Sequence, residues 1–317
     1  MTKDPSPWQK LARNPAVVVS ACILLIVAIT ATIGPIILPT AFSQVTSESF
    51  LPPSGEHLFG TDLNGRDLLY RVFLGARISL LVGVAGALVS FIVGIVYGMV
   101  AGYAGGRLDS IMMRFVDVLY AIPRLIFLLV LISSLDPVLR TSMEGHGLQS
   151  MIGYSKVVIL VLCLGLTEWL TMARIVRGQV LSLKSQQYVL AARSIGQSHL
   201  RIVFLHILPN LIGVTIVYLT LTVPSVILDE SFLSFLGVGI QAPLASWGLL
   251  LSDAAQVINP IKGYWWLLVF PALGMSLSLL ALNFLGDGLR DAFDPRAKAK
   301  GRGLRFSAKS SGREARR

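Results

Sequence analysis

The sequence is poor in charge. Only 14% of its 317 residues are Asp, Glu, Lys or Arg, whereas 54% are hydrophobic. A soluble domain usually carries about 25% charged residues. The mean hydropathy is +0.72, and the apolar residues form runs of about 20, the length that crosses a bilayer. These features exclude a soluble globular protein and predict an all-α membrane protein.

Sequence motifs for catalysis, metal binding and ATP binding are missing. The two cysteines, Cys22 and Cys163, both lie inside apolar runs and form neither a CxxC pair nor a disulfide framework. No HExxH or GxSxG occurs, which disfavours an intramembrane enzyme. No GxxxxGK[S/T] occurs either, so we expect no phosphate-binding loop for ATP here. We therefore predict no catalytic residue, no metal site and no cofactor on this chain.

Six apolar runs predict six transmembrane helices. The runs are 16–38, 79–101, 115–135, 156–175, 206–228 and 264–286. Lys10 and Arg13 precede the first run, as in a signal peptide, but the run is much longer than a 7–15-residue signal core and no small-x-small cleavage site follows. We therefore expect an uncleaved first transmembrane helix.

The distribution of Lys and Arg predicts the orientation, because cytoplasmic loops carry the basic excess. With the N-terminus inside, the inside segments hold twenty basic residues and the outside segments six; Arg124 lies within a run. Both termini are thus predicted to be cytoplasmic. The predicted divisions are an N-terminus at 1–15, a first helix at 16–38, an outside loop at 39–78, a five-helix core at 79–286 with an inside loop at 176–205, and a basic tail at 287–317. Such a tail suits anionic lipid, not nucleic acid.

Two glycine-containing segments have structural interpretations. Gly94, Gly98 and Gly102 recur every four residues, which lets another helix approach closely. This row of glycines, called the glycine seam, packs either against another subunit or against another helix of the same bundle. The polar run 60–67 lacks the spacing and closing Glu of a calcium loop, and it predicts a tight turn in which Arg66 pairs with a carboxylate.

The inside loop 176–205 carries a helical pattern. Ser185 suits a helix N-cap, and residues 186–195 are predicted to be helical. One face of this helix carries small and apolar residues: Tyr188, Ala191, Ala192 and Ile195. Gly196 ends the pattern, and a second short helix is predicted from about Ser198. The bulky residues that insert into lipid are missing from this face. The pattern therefore favours docking to another protein over an amphipathic helix on the membrane surface.

The same loop resembles the EAA loop of ABC-transporter permease subunits. Residues 190–196 read LAARSIG, and Leu208-Pro209 follow at the distance that the family signature has. The sequence departs from the signature at Leu190, which replaces the Glu, and at His206, which replaces an Ile. The resemblance implies that the loop docks a separate ATPase subunit. The residues expected to contact it are Tyr188, Ala191, Ala192, Arg193, Ile195, Gly196 and Arg201.

The resemblance extends over residues 8–296, to the C-type permease subunits of dipeptide and oligopeptide importers, and especially to the oligopeptide branch. The segments that carry it are 58–67, 75–80, 173–178, 230–237, 247–253 and 286–295. It implies the fold of a type I ABC importer permease in the bacterial cytoplasmic (inner) membrane. The expected partners are a homologous permease, two ABC ATPases that hold ATP and Mg, an extracytoplasmic peptide-binding protein, and membrane lipid. Nickel, glycan or another small solute is the alternative cargo.

Charged residues within the apolar runs are costly in hydrocarbon, so they are candidates for the transport path. The candidates are Asp117, Arg124, Asp229 and Glu230, with Glu168 a further intramembrane acid. Asp117 and Arg124 lie seven residues apart and are predicted to share one helical face. Asp229 and Glu230 end the fifth run, where they serve either a passing peptide amine or only the helix end. A secondary transporter is disfavoured because no internal repeat is evident.

Overall fold

The computed structural model describes residues 7–38, 44–145, 154–257 and 263–293. Apart from one isolated bridge between Thr61 and Asp67, the regular structure of these residues is helical. The helices are α1 (Pro7–Arg13), α2 (Pro15–Ile37), α3 (Leu68–Ala104), α4 (Gly106–Ala121), α5 (Arg124–Gly145), α6 (Ser155–Lys184), α7 (Gln187–Ser194), α8 (His199–Ile202), α9 (Leu208–Phe235), α10 (Trp247–Val257) and α11 (Trp265–Phe293). A π-helical turn, Val203–Ile207, joins α8 to α9.

Six of these helical segments are long and apolar enough to span a membrane, as the sequence predicted. They are Pro15–Ile37, Leu68–Ala104, Arg124–Gly145, Ser155–Lys184, His199–Phe235 and Trp265–Ala292. The predicted tail at 287–317 begins as helix, because α11 continues to Phe293. The rest of that tail, residues 294–317, lies outside the described residues.

The helix of the second span begins at Leu68, within the segment 39–78 that the sequence assigns to an outside loop. The Asp67 side chain accepts a hydrogen bond from the Tyr70 backbone N–H and thereby caps α3, which starts at Leu68. Arg71 and Arg77 lie in its first three turns. These charges lower the local hydropathy but leave helix formation unaffected, because the cap and the backbone hydrogen bonds set the start.

The third predicted span, 115–135, is two helices. Ile122 is extended, with φ −78° and ψ 129°, because the ring of Pro123 disfavours helical geometry in the preceding residue. Helix α4 therefore ends at Ala121 and α5 begins at Arg124. The prediction that Asp117 and Arg124 share a face of one helix is wrong for this reason.

Helices α3 and α6 form the central contact of the bundle, along the glycine seam predicted from the sequence. A Cβ atom added to Gly98 would stand 2.5 Å from the Ala173 carbonyl oxygen, and one added to Gly102 would stand 2.8 Å from the Val180 Cβ. Gly94 packs equally tightly on Met172. Within this chain the seam is therefore packing between two helices of the same subunit.

The two ends of the bundle differ. One end, here called the α10 end, holds the start of α3, the helix α10 and the segment 44–67. The other, the α7 end, holds the ends of α3 and α6 and the helix α7. A Cβ atom added to Gly75 of α3 would lie within 3.4 Å of backbone atoms of Ser246 and Trp247. The start of α10 therefore packs closely against the bundle. The indole of Trp247 is fully buried there.

The segment at the α10 end is organised by one aspartate. Asp62 accepts hydrogen bonds from the backbone N–H groups of Asn64 and Arg66, and its carboxylate lies 2.8 Å from Arg66 Nε. This confirms the predicted turn and its ion pair. Asp62 also lies 3.6 Å from Arg71, whose buried guanidinium is 3.5 Å from Asp253. Burial raises the pKa of Asp253 above its usual range, and Arg71 opposes this shift.

Replacing Asp62 with alanine should unfold this segment at lower temperature. The change removes the acceptor of three hydrogen bonds and leaves buried Arg71 with Asp253 alone. Breaking a buried ion pair on one side costs about 3–5 kcal/mol. The thermal midpoint of the detergent-purified protein measures the loss. The control is Glu56→Ala, because Glu56 is exposed; equal midpoints for the two variants would contradict the role of Asp62.

Candidate coupling loop and intramembrane ion pairs

The loop after α6 is built by two sharp changes of backbone direction. Gln186 is extended and starts α7 without a side-chain cap, whereas Ser185, the predicted cap, ends α6 and donates to the Ser182 carbonyl. At the other end Gly196 has φ +80°. The N–H of Gly196 donates to the Arg193 carbonyl and that of Gln197 to the Ala192 carbonyl, which is the Schellman motif. Gly196 therefore ends α7 through a left-handed backbone.

The structure divides the predicted docking residues between two faces of the loop. Tyr188 and Ile195 are 42% and 76% exposed. The remaining exposed members are Ala191, Arg193, Gly196 and Arg201. Ala192 is buried and packs with Val189, so its expected place on the exposed face is wrong. The helix turns through 100° per residue, which places Ala192 against the bundle when Ala191 faces out.

Two further apolar residues, Leu190 and Leu200, contribute to this surface although the sequence does not predict them. They are 47% and 71% exposed, and both lie beside the predicted docking residues. In the sequence Leu190 is only a departure from the family signature. Its exposure makes the surface more apolar than expected. The hydropathy at single positions did not indicate this, because the exposure depends on how α7 and α8 sit on the bundle.

Side-chain contacts of two histidines stabilise the loop. His206 Nε2 lies 2.9 Å from Gln197 Oε1, and its ring lies 6.4 Å from that of Tyr188. His206, which replaces the isoleucine of the signature, thus ties the end of the loop to its middle. His199 Nδ1 also lies 2.8 Å from the Tyr103 hydroxyl. These contacts fix α7 and α8 relative to α3 and α9.

Hydrogen bonds and an ion pair also join the helices of the bundle next to this loop. Lys184, the last residue of α6, donates to the Tyr103 carbonyl at 2.6 Å. Arg177 makes two hydrogen bonds of 2.7 Å to Asp109 of α4. These bonds hold the pKa of Asp109 below its usual range. These contacts join the end of α6, just before α7, to α3 and α4.

Three charged residues meet inside the spans. Arg124, the first residue of α5, lies 2.5 Å from Glu168 of α6 and also contacts Asp229 of α9. The break at Pro123 releases Arg124 from α4 and directs it across two other helices. Glu168 follows about 20 Å of helix from the start of α6, at 1.5 Å per residue. The group Arg124, Glu168 and Asp229 is called the ion triad below.

The ion triad ends a row of polar contacts between α4 and α6. Asp117 lies 3.0 Å from Arg174, and the Arg174 guanidinium stands 4.3 Å from the centre of the Tyr120 ring. The Tyr120 hydroxyl is 2.5 Å from that of Thr171. The row Asp117–Arg174, Tyr120–Thr171 and Arg124–Glu168, with Asp229, is called the polar ladder. The structure thus brings Asp117, Arg124 and Asp229 to one surface, although not on one helix.

Glu230 is separated from this surface. Its side chain is fully buried and accepts hydrogen bonds from Ser79 at 2.8 Å and Ser234 at 2.7 Å. Ser79 also accepts from the Trp247 backbone N–H at 3.3 Å. Glu230 therefore joins α3, α9 and the start of α10, whereas Asp229, one residue earlier, points toward Arg124.

No group of three or more His, Cys, Asp and Glu side chains with the arrangement of a metal site occurs among the described residues. The ion triad contains two carboxylates, but Arg124 supplies the positive charge between them.

Comparison with known proteins places the chain in a transporter family. Residues 94–299 match the binding-protein-dependent transport system inner membrane component, and residues 6–53 match the N-terminal TM domain of oligopeptide transport permease C. The first match includes the loop 176–205 and the polar ladder.

Curated relatives match over nearly the whole chain. The dipeptide transport system permease protein DppC of Bacillus subtilis is 46% identical over 92% of this chain and 85% of its own length. The oligopeptide transport system permease proteins OppC of Haemophilus influenzae and Escherichia coli K12 are each 43% identical over 92% of this chain, and over 89% and 92% of their own lengths. The chain belongs to the family of inner membrane components of binding-protein-dependent transport systems.

Proposed function

We propose that this chain is one permease subunit of an ATP-driven peptide importer in the bacterial cytoplasmic membrane. The relatives named as dipeptide and oligopeptide permeases support peptide as cargo. The partners are a homologous permease, two ABC ATPases that bind ATP and Mg, and an extracytoplasmic peptide-binding protein. The basic excess of the predicted inside segments supports an orientation with the α7 end in the cytoplasm and the α10 end outside.

The loop from Gln186 to Arg201 docks the ATPase in this proposal. The observation that carries it is the exposed surface of Tyr188, Leu190, Ile195 and Leu200 on α7, α8 and the turn between them, which hydrogen bonds of His199 and His206 hold in place. Closing of the ATPase pair displaces α7, and the contacts of Lys184 and Arg177 carry the displacement to the spans. The bundle then changes from inward-open to outward-open, the peptide enters, and ATP hydrolysis resets it.

Replacing Ile195 with aspartate should reduce recovery of the ATPases with the tagged permease by about tenfold, because a charge enters an apolar contact. The permease is co-expressed with the ATPases of its own transport system and purified through its tag, and the ATPase bands are quantified. Leu58→Asp is the matched control, because Leu58 is 62% exposed at the α10 end. Equal ATPase recovery with both variants would contradict docking at α7.

A growth assay distinguishes a peptide cargo from the alternative cargoes, nickel, glycan or another small solute. A leucine auxotroph that lacks this gene should grow on free leucine but fail on leucine-containing peptides, and a plasmid copy should restore growth. Normal peptide growth together with lost nickel or glycan uptake would exclude peptide as the cargo while leaving the permease role intact.

A further inference from the structure

The polar ladder cannot face lipid. The side chains of Asp117, Arg174 and Arg124 are 61%, 48% and 40% exposed in the folded chain. Charged side chains in contact with hydrocarbon are strongly disfavoured, so such residues face a partner or a water-filled cavity. In a pair of permeases that cavity is the translocation path. This step rests on the proposed function.

The charges along the ladder are not evenly balanced. Asp117 and Arg174 neutralise each other. The ion triad holds two carboxylates and one guanidinium, which leaves one negative charge. Within the described ranges, Arg124 is the only Lys or Arg within 4 Å of either Glu168 or Asp229. The adjacent Glu230 adds nothing to this surface, because it is fully buried among serines.

Two features make the excess charge available to a ligand. Asp229 retains 17% exposure and Glu168 9%, so an edge of the carboxylate pair reaches the open surface. Arg124 covers that edge from the first turn of α5, where its side chain is 40% exposed. The site is thus two carboxylates drawn from α6 and α9, with a partly exposed cation of α5 between them.

We propose that the ion triad is a transient binding subsite for the α-ammonium group of a peptide that passes through the permease. The ammonium binds Asp229 and neutralises the excess negative charge, while Arg124 stays paired with Glu168 and turns its remaining N–H donors toward the path. In the empty path Arg124 is shared by the two carboxylates. With the ammonium bound, each carboxylate has its own cation, which a low-dielectric site favours.

A zwitterionic peptide fits this exchange better than an inorganic cation. Its ammonium has three N–H donors for carboxylate oxygens, and its own carboxylate becomes a partner for the N–H donors that Arg124 turns toward the path, since a guanidinium binds carboxylates well. The contacts involve only the two termini of the peptide. They therefore suit cargo whose side chains vary.

Asp229→Asn removes the excess charge with little change of shape and leaves the Arg124–Glu168 pair in place. The complete complex is reconstituted in vesicles, and ATP-driven uptake is measured for a lysine-free tripeptide and its N-acetylated form. The pair is chosen so that the binding protein binds both, and both are supplied at saturation. Asp229→Asn should lower the maximum rate for the free-amine peptide about tenfold, as expected for a lost contact to a charged group. The rate for the N-acetylated peptide should stay as in the wild type.

The matched control is Asp136→Asn, because Asp136 is also an acid of a spanning helix, α5, and pairs with Arg140 at 3.0 Å, away from the ladder. Glu168→Gln should repeat the selective loss. An equal loss for both peptides in Asp229→Asn, or no loss for the free amine, would overturn the subsite while leaving the importer proposal standing. If vesicles with the wild-type complex take up neither peptide, the importer proposal itself is overturned.

Discussion

Replacing Gly196 with valine should uncouple ATP hydrolysis from uptake. Gly196 has φ +80°, a region that disfavours residues with a Cβ by about 1–2 kcal/mol and β-branched ones most of all. A Cβ here would touch nothing within 4 Å, so the effect comes from the backbone alone. The Schellman ending of α7 would be lost, and α7 and α8 would change their relative angle. We expect uptake to fall at least about tenfold while ATPase activity persists.

The experiment compares uptake and ATP hydrolysis in the same vesicle preparation. Gly196→Asn is the control, because asparagine tolerates the left-handed region better than other non-glycine residues; it should retain most of the uptake. If the Gly196→Val variant transports as well as the wild type, the left-handed backbone at this position is not needed to couple the loop to transport.

Replacing Gly98 with alanine should destabilise the whole bundle. The added methyl would lie 2.5 Å from the Ala173 carbonyl oxygen and 3.0 Å from the Arg177 amide nitrogen. Both are backbone atoms, so no side-chain rotation relieves the clash, and α3 and α6 must separate. Overpacking of this kind costs about 1–3 kcal/mol. The thermal midpoint of the purified protein and its yield from membranes should both fall.

Gly178 of α6 provides the matched comparison for this change. It is also helical, but a Cβ there meets nothing within 4 Å, so Gly178→Ala should leave the midpoint unchanged or raise it slightly through the higher helix propensity of alanine. If the Gly98→Ala and Gly178→Ala variants have the same thermal midpoint, the close contact between α3 and α6 is not needed for stability.

Local signals predicted much of the loop. A glycine after a short helical pattern indicated where α7 ends, and the left-handed backbone at Gly196 agrees with that choice. Ser198 was expected near the start of the next helix, and its hydroxyl indeed accepts from the Arg201 backbone N–H. Such signals are reliable because capping depends on residues close in sequence.

Burial was predicted less well, because it depends on the neighbours of a helix. Ala191 and Ala192 are identical in type, yet the first is exposed and the second is buried. Asp229 and Glu230 are adjacent acids, yet one joins the polar ladder and the other binds serines inside the bundle. No property of these residues by themselves distinguishes the members of either pair.

The sequence by itself determined the membrane class, the six spans and the place of the short helices α7 and α8, because hydropathy, run length and helix ends are local quantities. Only the tertiary structure decided which charges meet. Pro123 divides one predicted span, and Arg124 then reaches Glu168 and Asp229, 44 and 105 residues away along the chain. Contacts at such separations depend on how α5, α6 and α9 pack, because the distance between two side chains is set by the fold and not by their spacing in sequence.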